Sequence, residues 1–305
     1  MKSNLQYGSD VKRALDAGEP LVALESTVIT HGLPYPRNVE TAVMMEAAVR
    51  EGGAIPATIG IIGGQIIVGL SEEQMTHLGQ QALQDSVRKC SRRDLPLVLA
   101  LKEDGSTTVA GTMILAKLAG IEVFATGGIG GVHRGHPFDV SADLSEMGRT
   151  AVTIVSSGAK SILDLPATRE VLETNGVTII GYGSDEMPAF FARSSGLAVD
   201  QRLDTAQEVA AVILARHRLQ LQSALLVTVP VPEAYAMDRQ EAEGAIEQAT
   251  READEKGIHG PASTPWLLRR MVELTDGRSM RANIALLRNN AHVAARIAVA
   301  LAVKV

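Results

Sequence analysis

Short aliphatic runs alternate with amphipathic stretches over most of this chain, and that alternation leaves few folds open. Residues 21–25, 57–62, 65–69, 97–101, 121–125, 152–156, 178–182 and 224–229 are short, rich in Val, Ile, Leu and Ala, and read as strands. Residues 11–17, 39–51, 108–118, 167–174 and 205–219 carry the helical period, and Ser71 reads as the cap of a further helix. Strands alternating with helices imply a largely parallel sheet covered on both faces, an α/β fold of three layers, α/β/α. Gly63-Gly64 lies between two of the runs as a hairpin turn, so the sheet is expected to be mixed. From residue 238 onward the pattern is helical, at 238–256, 264–274 and 279–303, broken at Gly257, Gly260, Pro261 and Gly277. No linker-like or repeated segment divides the 305 residues, and a single domain over 1–305 is expected.

Composition narrows the partners. A formal net charge of -6 disfavours nucleic acid and acidic membranes, which call for a concentrated basic surface. Cys90 is the one cysteine, so no intramolecular disulfide can form and a reducing compartment, the cytoplasm, is expected. The first twenty residues are polar, unlike a secretory signal, and no apolar run approaches the ~20 residues of a membrane span.

Reactive side chains gather where strands run into loops. Glu25 ends the apolar run Leu21-Val22-Ala23-Leu24, where partial burial suits a general acid; a carboxylate paired with an arginine is the plainer alternative. Gly127-Gly128-Ile129-Gly130-Gly131 follows the strand at 121–125, and such a loop can aim backbone N–H groups at an anion. It is not a dinucleotide fingerprint, because His133 stands where the third glycine belongs. Asp139 and Asp143 are four apart, a spacing open both to a hard divalent ion and to simple helix capping around Ser141. Lys160 follows a buried strand, where a desolvated amine attacks carbonyls, although most lysines are merely solvated. Lys89, Arg92 and Arg93 concentrate positive charge, and Thr108 precedes a helix whose amides could hold phosphate. Cys90 reads as a small buried thiol, and Asn283, Asn289 and Asn290 stand on the last helix as candidates for hydrogen bonding or for an interface.

These segments line up as V-A-L-E-S-T, H-G-L-P-Y-P, P-A-T-I-G-I-I-G-G, S-R-R-D-L-P, T-T-V-A-G-T-M, F-A-T-G-G-I-G-G-V-H-R-G, S-A-D-L, G-A-K-S-I-L-D, P-A-F-F, S-T-P and N-N-A. In that order they resemble the pseudouridine-5'-phosphate glycosidase family, which includes the indigoidine-synthase-A-like proteins. The resemblance implies reversible cleavage of the C–C glycosidic bond of pseudouridine 5'-phosphate to uracil and ribose 5-phosphate, in a homotrimer with one Mn²⁺ per subunit. It implies Lys160 as the nucleophile forming an imine with ring-opened ribose, Glu25 as proton donor and Asn283 as a catalytic asparagine. It further implies Asp139 as the metal ligand, with Lys89, Thr108, Val109, His133, Ser141, Ala142 and Asp143 as substrate contacts. The loop Gly135-His136-Pro137-Phe138 is shorter than in the family. Two other readings are a phosphosugar sensor without catalysis and a related C–C bond-forming enzyme acting on a phosphosugar.

Overall fold

The computed structural model describes residues 5–258 and 263–303. The chain runs through β1 (Leu5–Tyr7), α1 (Ser9–Ala17), β2 (Leu21–Leu24), a π-helical turn (Val28–Gly32), α2 (Arg37–Glu51), β3 (Ile55–Ile62), β4 (Gln65–Val68) and α3 (Glu72–Gln81). It continues through β5 (Val87–Cys90), α4 (Leu95–Ala100), β6 (Asp104–Thr107), α5 (Val109–Ala119), β7 (Val123–Ala125), β8 (Val132–His133), β9 (His136–Val140), α6 (Ala142–Met147) and β10 (Thr153–Ser156). There follow β11 (Leu163–Asp164), α7 (Leu165–Thr174), β12 (Thr178–Tyr182), β13 (Gln201–Leu203), α8 (Ala206–Arg218), β14 (Leu225–Thr228), α9 (Arg239–Glu255), α10 (Ser263–Leu274) and α11 (Arg278–Ala302).

The main sheet is mixed, in the order β1-β4-β3-β2-β7-β10-β14-β12-β13, with β6 and then β5 branching from β3. Its centre, β3-β2-β7-β10-β14-β12, is wholly parallel. β2, β10 and β14 are buried along their whole length, as strands covered on both faces must be. The turn at Gly63-Gly64 is the expected one: both glycines adopt left-handed backbone, which a two-residue hairpin requires, and Ile62 pairs with Gln65 across it. Ser71 caps α3 through a reciprocal bond with Gln74.

One predicted strand is a helix. Residues 97–100 belong to α4, with Leu101 as its C-terminal cap, and its first turn holds Pro96, a residue pre-set for a helix start. Of the predicted breaks between the C-terminal helices, Gly260 and Pro261 lie outside the described residues, while α9, α10 and α11 fall where the helical period placed them.

Chain travel fixes the layers. The step from β2 to β3 runs one way along the sheet and the step from β7 to β10 the other, so right-handed crossovers place α2 and α6 on opposite faces. α11 packs on α2 and α8 and against β2, β7 and β10, completing the α2 face. The direction of travel reverses between β2 and β7, and the crevice outside the carboxyl ends at such a reversal is where open α/β sheets bind ligands. Among the described residues, no helix is long and apolar enough to cross a membrane.

Candidate active site

Three strand ends build the crevice. Glu25 follows β2 and is 8% exposed; the Thr27 and Thr126 hydroxyls each donate to one of its carboxylate oxygens. Thr126-Gly127-Gly128 follows β7, and Ser157-Gly158 follows β10 on the way to Lys160. Ile129 N–H donates to Gly158 O at 3.0 Å and Lys160 N–H to Ile129 O at 3.1 Å, which ties the lysine backbone to the glycine turn. Glycine is required at 128: a Cβ there would stand 2.7 Å from the Phe190 ring. Beneath the turn, fully buried Asn290 of α11 donates to Thr126 O at 2.9 Å and to Ser157 Oγ at 3.2 Å.

These elements enclose a narrow cavity of about 70 Å³ lined by Glu25, His31, Lys89, Thr126, Lys160 and Asn283, among others. His31, Lys89 and Asn283 also line an adjoining cleft of about 950 Å³. Burial pushes the Lys89 amine down from its ordinary value and the Lys160 charge adds to this, while Asp143 and Glu25 oppose it. His31 is pushed down to about 4 by burial and then by Lys89, with Asp85 opposing, so it is neutral near pH 7. Burial, aided by Asp94, pushes the Cys90 thiol up to about 12, the inert buried thiol that its sequence context describes.

The other residues singled out from sequence stand around this cavity rather than in its lining. Asp143 is buried, and its two oxygens accept backbone N–H groups of Ala110 and Gly130, each at 2.9 Å. That carboxylate ties α6 to the first turn of α5 and to the glycine loop. Thr108 caps α5, accepting from Gly111 N–H at 3.2 Å and donating to Cys90 O at 3.2 Å, and Val109 is buried beside it. Ser141 caps α6, and Ala142 begins that helix at the surface. Of the basic cluster, only Lys89 lines the cavity; Arg92 is bonded to Glu146 of α6 at 2.6 and 2.7 Å.

His133 on β8 and Asp139 on β9 line a second cavity of about 320 Å³, with Arg134, His136 and Asp254. Burial lowers the His133 pKa, Asp139 opposes this, and the charges of His136, Lys89 and Lys160 add to the lowering. Every residue of β9 is exposed, and among the described residues no group of three or more His, Cys, Asp or Glu side chains is gathered to hold a metal ion. With Asp143 committed to amides, the donor set fits a hard divalent ion held through the Asp139 carboxylate and otherwise by water, and does not fit a dehydrated cage.

Thr27, His31, Thr126 and Asn290 are the site residues that sequence reasoning did not single out for a role at the reacting centre. Thr27 and Thr126 follow strand ends and His31 lies in the π-helical turn after β2, all inside motifs already quoted, and that position is the one signal that marks them. Their contacts reach across strands and helices, which no periodicity reports.

Fold and cavity together define an α/β protein that brings a lysine amine and a glutamate carboxylate into one crevice at the carboxyl edge of a parallel sheet. The chain belongs to the family described as indigoidine synthase A like protein, whose sequence profile matches residues 10–300. It is 52% identical to the pseudouridine-5'-phosphate glycosidase of Hahella chejuensis, over 98% of each chain. It is also 52% identical to the protein of that name from Escherichia coli K12, over 96% of this chain and 94% of that one. A crystal structure of the prealnumycin C-glycosynthase AlnA in complex with ribulose 5-phosphate superposes with a TM-score of 0.90 at 39% identity, covering 98% of this chain and 97% of that one.

Proposed function

We propose that this protein catalyses the reversible cleavage of pseudouridine 5'-phosphate to uracil and ribose 5-phosphate. The observation that carries the reading is the convergence of Glu25 and Lys160, distant in sequence, on one buried cavity. The bond to be broken joins two carbons, so no lone pair on the leaving atom can take a proton, and cleavage, which sends the bonding pair to the base, needs an electron pair supplied at C1'. Lys160 supplies it: the amine adds to C1' as the bond from C1' to the ring oxygen breaks, Glu25 gives that oxygen a proton, and its carboxylate takes one back from the lysine nitrogen. The lysine nitrogen then donates its electron pair to form the imine, the C1'–C5 bond breaks, and its electrons go to C5 of the base. Glu25 delivers the proton to C5, and water releases ribose 5-phosphate from Lys160.

Thr27 and Thr126 fix the Glu25 carboxylate by one hydrogen bond to each oxygen, leaving its orientation little freedom. Lys89 and Asn283 border the same cavity, where they bind and orient the sugar. A divalent ion, Mn²⁺, is assigned to Asp139, where it supplies positive charge to phosphate or hydroxyl oxygens when bound. Three subunits are taken to form the working particle. The resemblance to a C-glycosynthase crystallised with a phosphosugar supports a second reading, C–C bond formation between a phosphosugar and another carbon acid.

The test is to incubate the protein with Mn²⁺ and pseudouridine 5'-phosphate and to follow uracil, beside Lys160→Ala and an EDTA-treated sample. Release abolished in both controls supports the reading. No release from the metal-loaded protein refutes it, and transfers the case to other phosphosugars.

A further inference from the structure

The cavity of about 70 Å³ around Glu25 and Lys160 is far below the roughly 300–1,000 Å³ of a pocket that encloses a whole small-molecule ligand. A nucleotide must therefore extend beyond it. The larger cleft adjoins it, walled by Tyr35, Phe191, Trp266, Leu268 and Met280, with Asn38 in its lining, and the two share His31, Lys89 and Asn283. Aromatic and aliphatic walls suit a flat heterocycle. His31 stands where the small cavity meets that cleft.

Its tautomer follows from its neighbours. Thr30 Oγ1 donates its proton to Ser106 Oγ at 2.7 Å and lies 2.6 Å from His31 Nδ1. A hydroxyl has one proton, so Nδ1 carries the hydrogen and donates to Thr30. Burial keeps the ring neutral near pH 7, which leaves Nε2 as a bare acceptor, and among the described residues Nε2 has no partner.

We infer that His31 is a specificity-determining residue that accepts an N–H of the leaving base through Nε2, selecting bases that present a hydrogen-bond donor on that edge. This inference rests on the C-glycosidase reading above. It is tested in the synthetic direction, with ribose 5-phosphate, uracil and Mn²⁺, comparing wild type, His31→Leu and His31→Gln. Borohydride trapping of ribose 5-phosphate on Lys160 is measured by mass spectrometry in each. The expected result is equal trapping in all three and a KM for uracil raised about tenfold in His31→Leu, the value of one hydrogen bond, with part recovered by the acceptor oxygen of His31→Gln. Either 1-methyluracil or 3-methyluracil is expected to lose ground against uracil in wild type and to lose none in His31→Leu. Equal trapping with an unchanged uracil KM overturns the role of His31 alone. Absence of any trapped sugar in wild type overturns the C-glycosidase reading itself, and this inference with it.

Discussion

Asn290→Leu isolates what holds the floor of the site. The two side chains are close in size, so the change removes hydrogen bonds without opening a large cavity. Asn290 is fully buried; its amide nitrogen donates to Thr126 O at 2.9 Å, with a longer contact to Gly127 O at 3.4 Å, and it exchanges bonds with Ser157 Oγ. Gly127 O keeps Ser157 N–H as a donor at 2.9 Å, so it is not stranded. Thr126 O and the Ser157 hydroxyl are stranded, and each orphaned buried group costs roughly 1–3 kcal/mol. Added apolar burial by leucine returns part of this, leaving about 3 kcal/mol. With an unfolding entropy of ~2.1 cal/mol/K per residue, 305 residues give about 0.6 kcal/mol/K, so Tm falls by about 5 °C. Thermal unfolding followed by circular dichroism, with urea titration to check that the m-value is unchanged, reads this directly. A Tm within about 1 °C of wild type refutes the assignment of Asn290 as the clamp.

Two further outcomes are expected. His31 has a folded pKa of about 4 against an ordinary 6.5, so the unfolded chain takes up this proton first. Its contribution is whole above about pH 6.5, shrinks as pH falls and is gone below about 4, amounting to at most about 3 kcal/mol; His31→Gln should flatten that part of a stability-versus-pH curve relative to wild type. Arg92→Met strands the Glu146 carboxylate, which is 2% exposed and keeps only the Thr150 hydroxyl, at a cost of about 2 kcal/mol; adding Glu146→Gln should recover most of it in a double-mutant cycle by urea unfolding.

The fold was legible because its strands are short aliphatic runs between glycine and capping signals, and the C-terminal region from residue 238 keeps its helical period. Residues 97–101 failed for a stated physical reason: an apolar run of that length fits strand and buried helix alike, and Pro96 in the first turn settles it for the helix. The small sheet of β11, β8 and β9 escaped notice because two of its strands have two residues each and β9 is exposed throughout, so no burial pattern marks it. Glu25 and Lys160 were legible as polar residues at the ends of buried strands. The role of Asp143 was not, since both its oxygens go to amides 33 and 13 residues away, a pairing that only the folded chain brings about.

The bond from Asn290 to the Thr126 carbonyl joins residues 164 apart, and the helix that carries it is synthesised after every strand of the sheet. Contacts of such separation form slowly, because a long loop must close before they contribute. The strands can therefore pair while their carboxyl ends still lack a floor. Catalytic competence should then appear as a late kinetic phase of refolding, lagging behind the far-ultraviolet signal of the sheet and helices, and a nascent chain displaying β2, β7 and β10 should be inert until α11 docks.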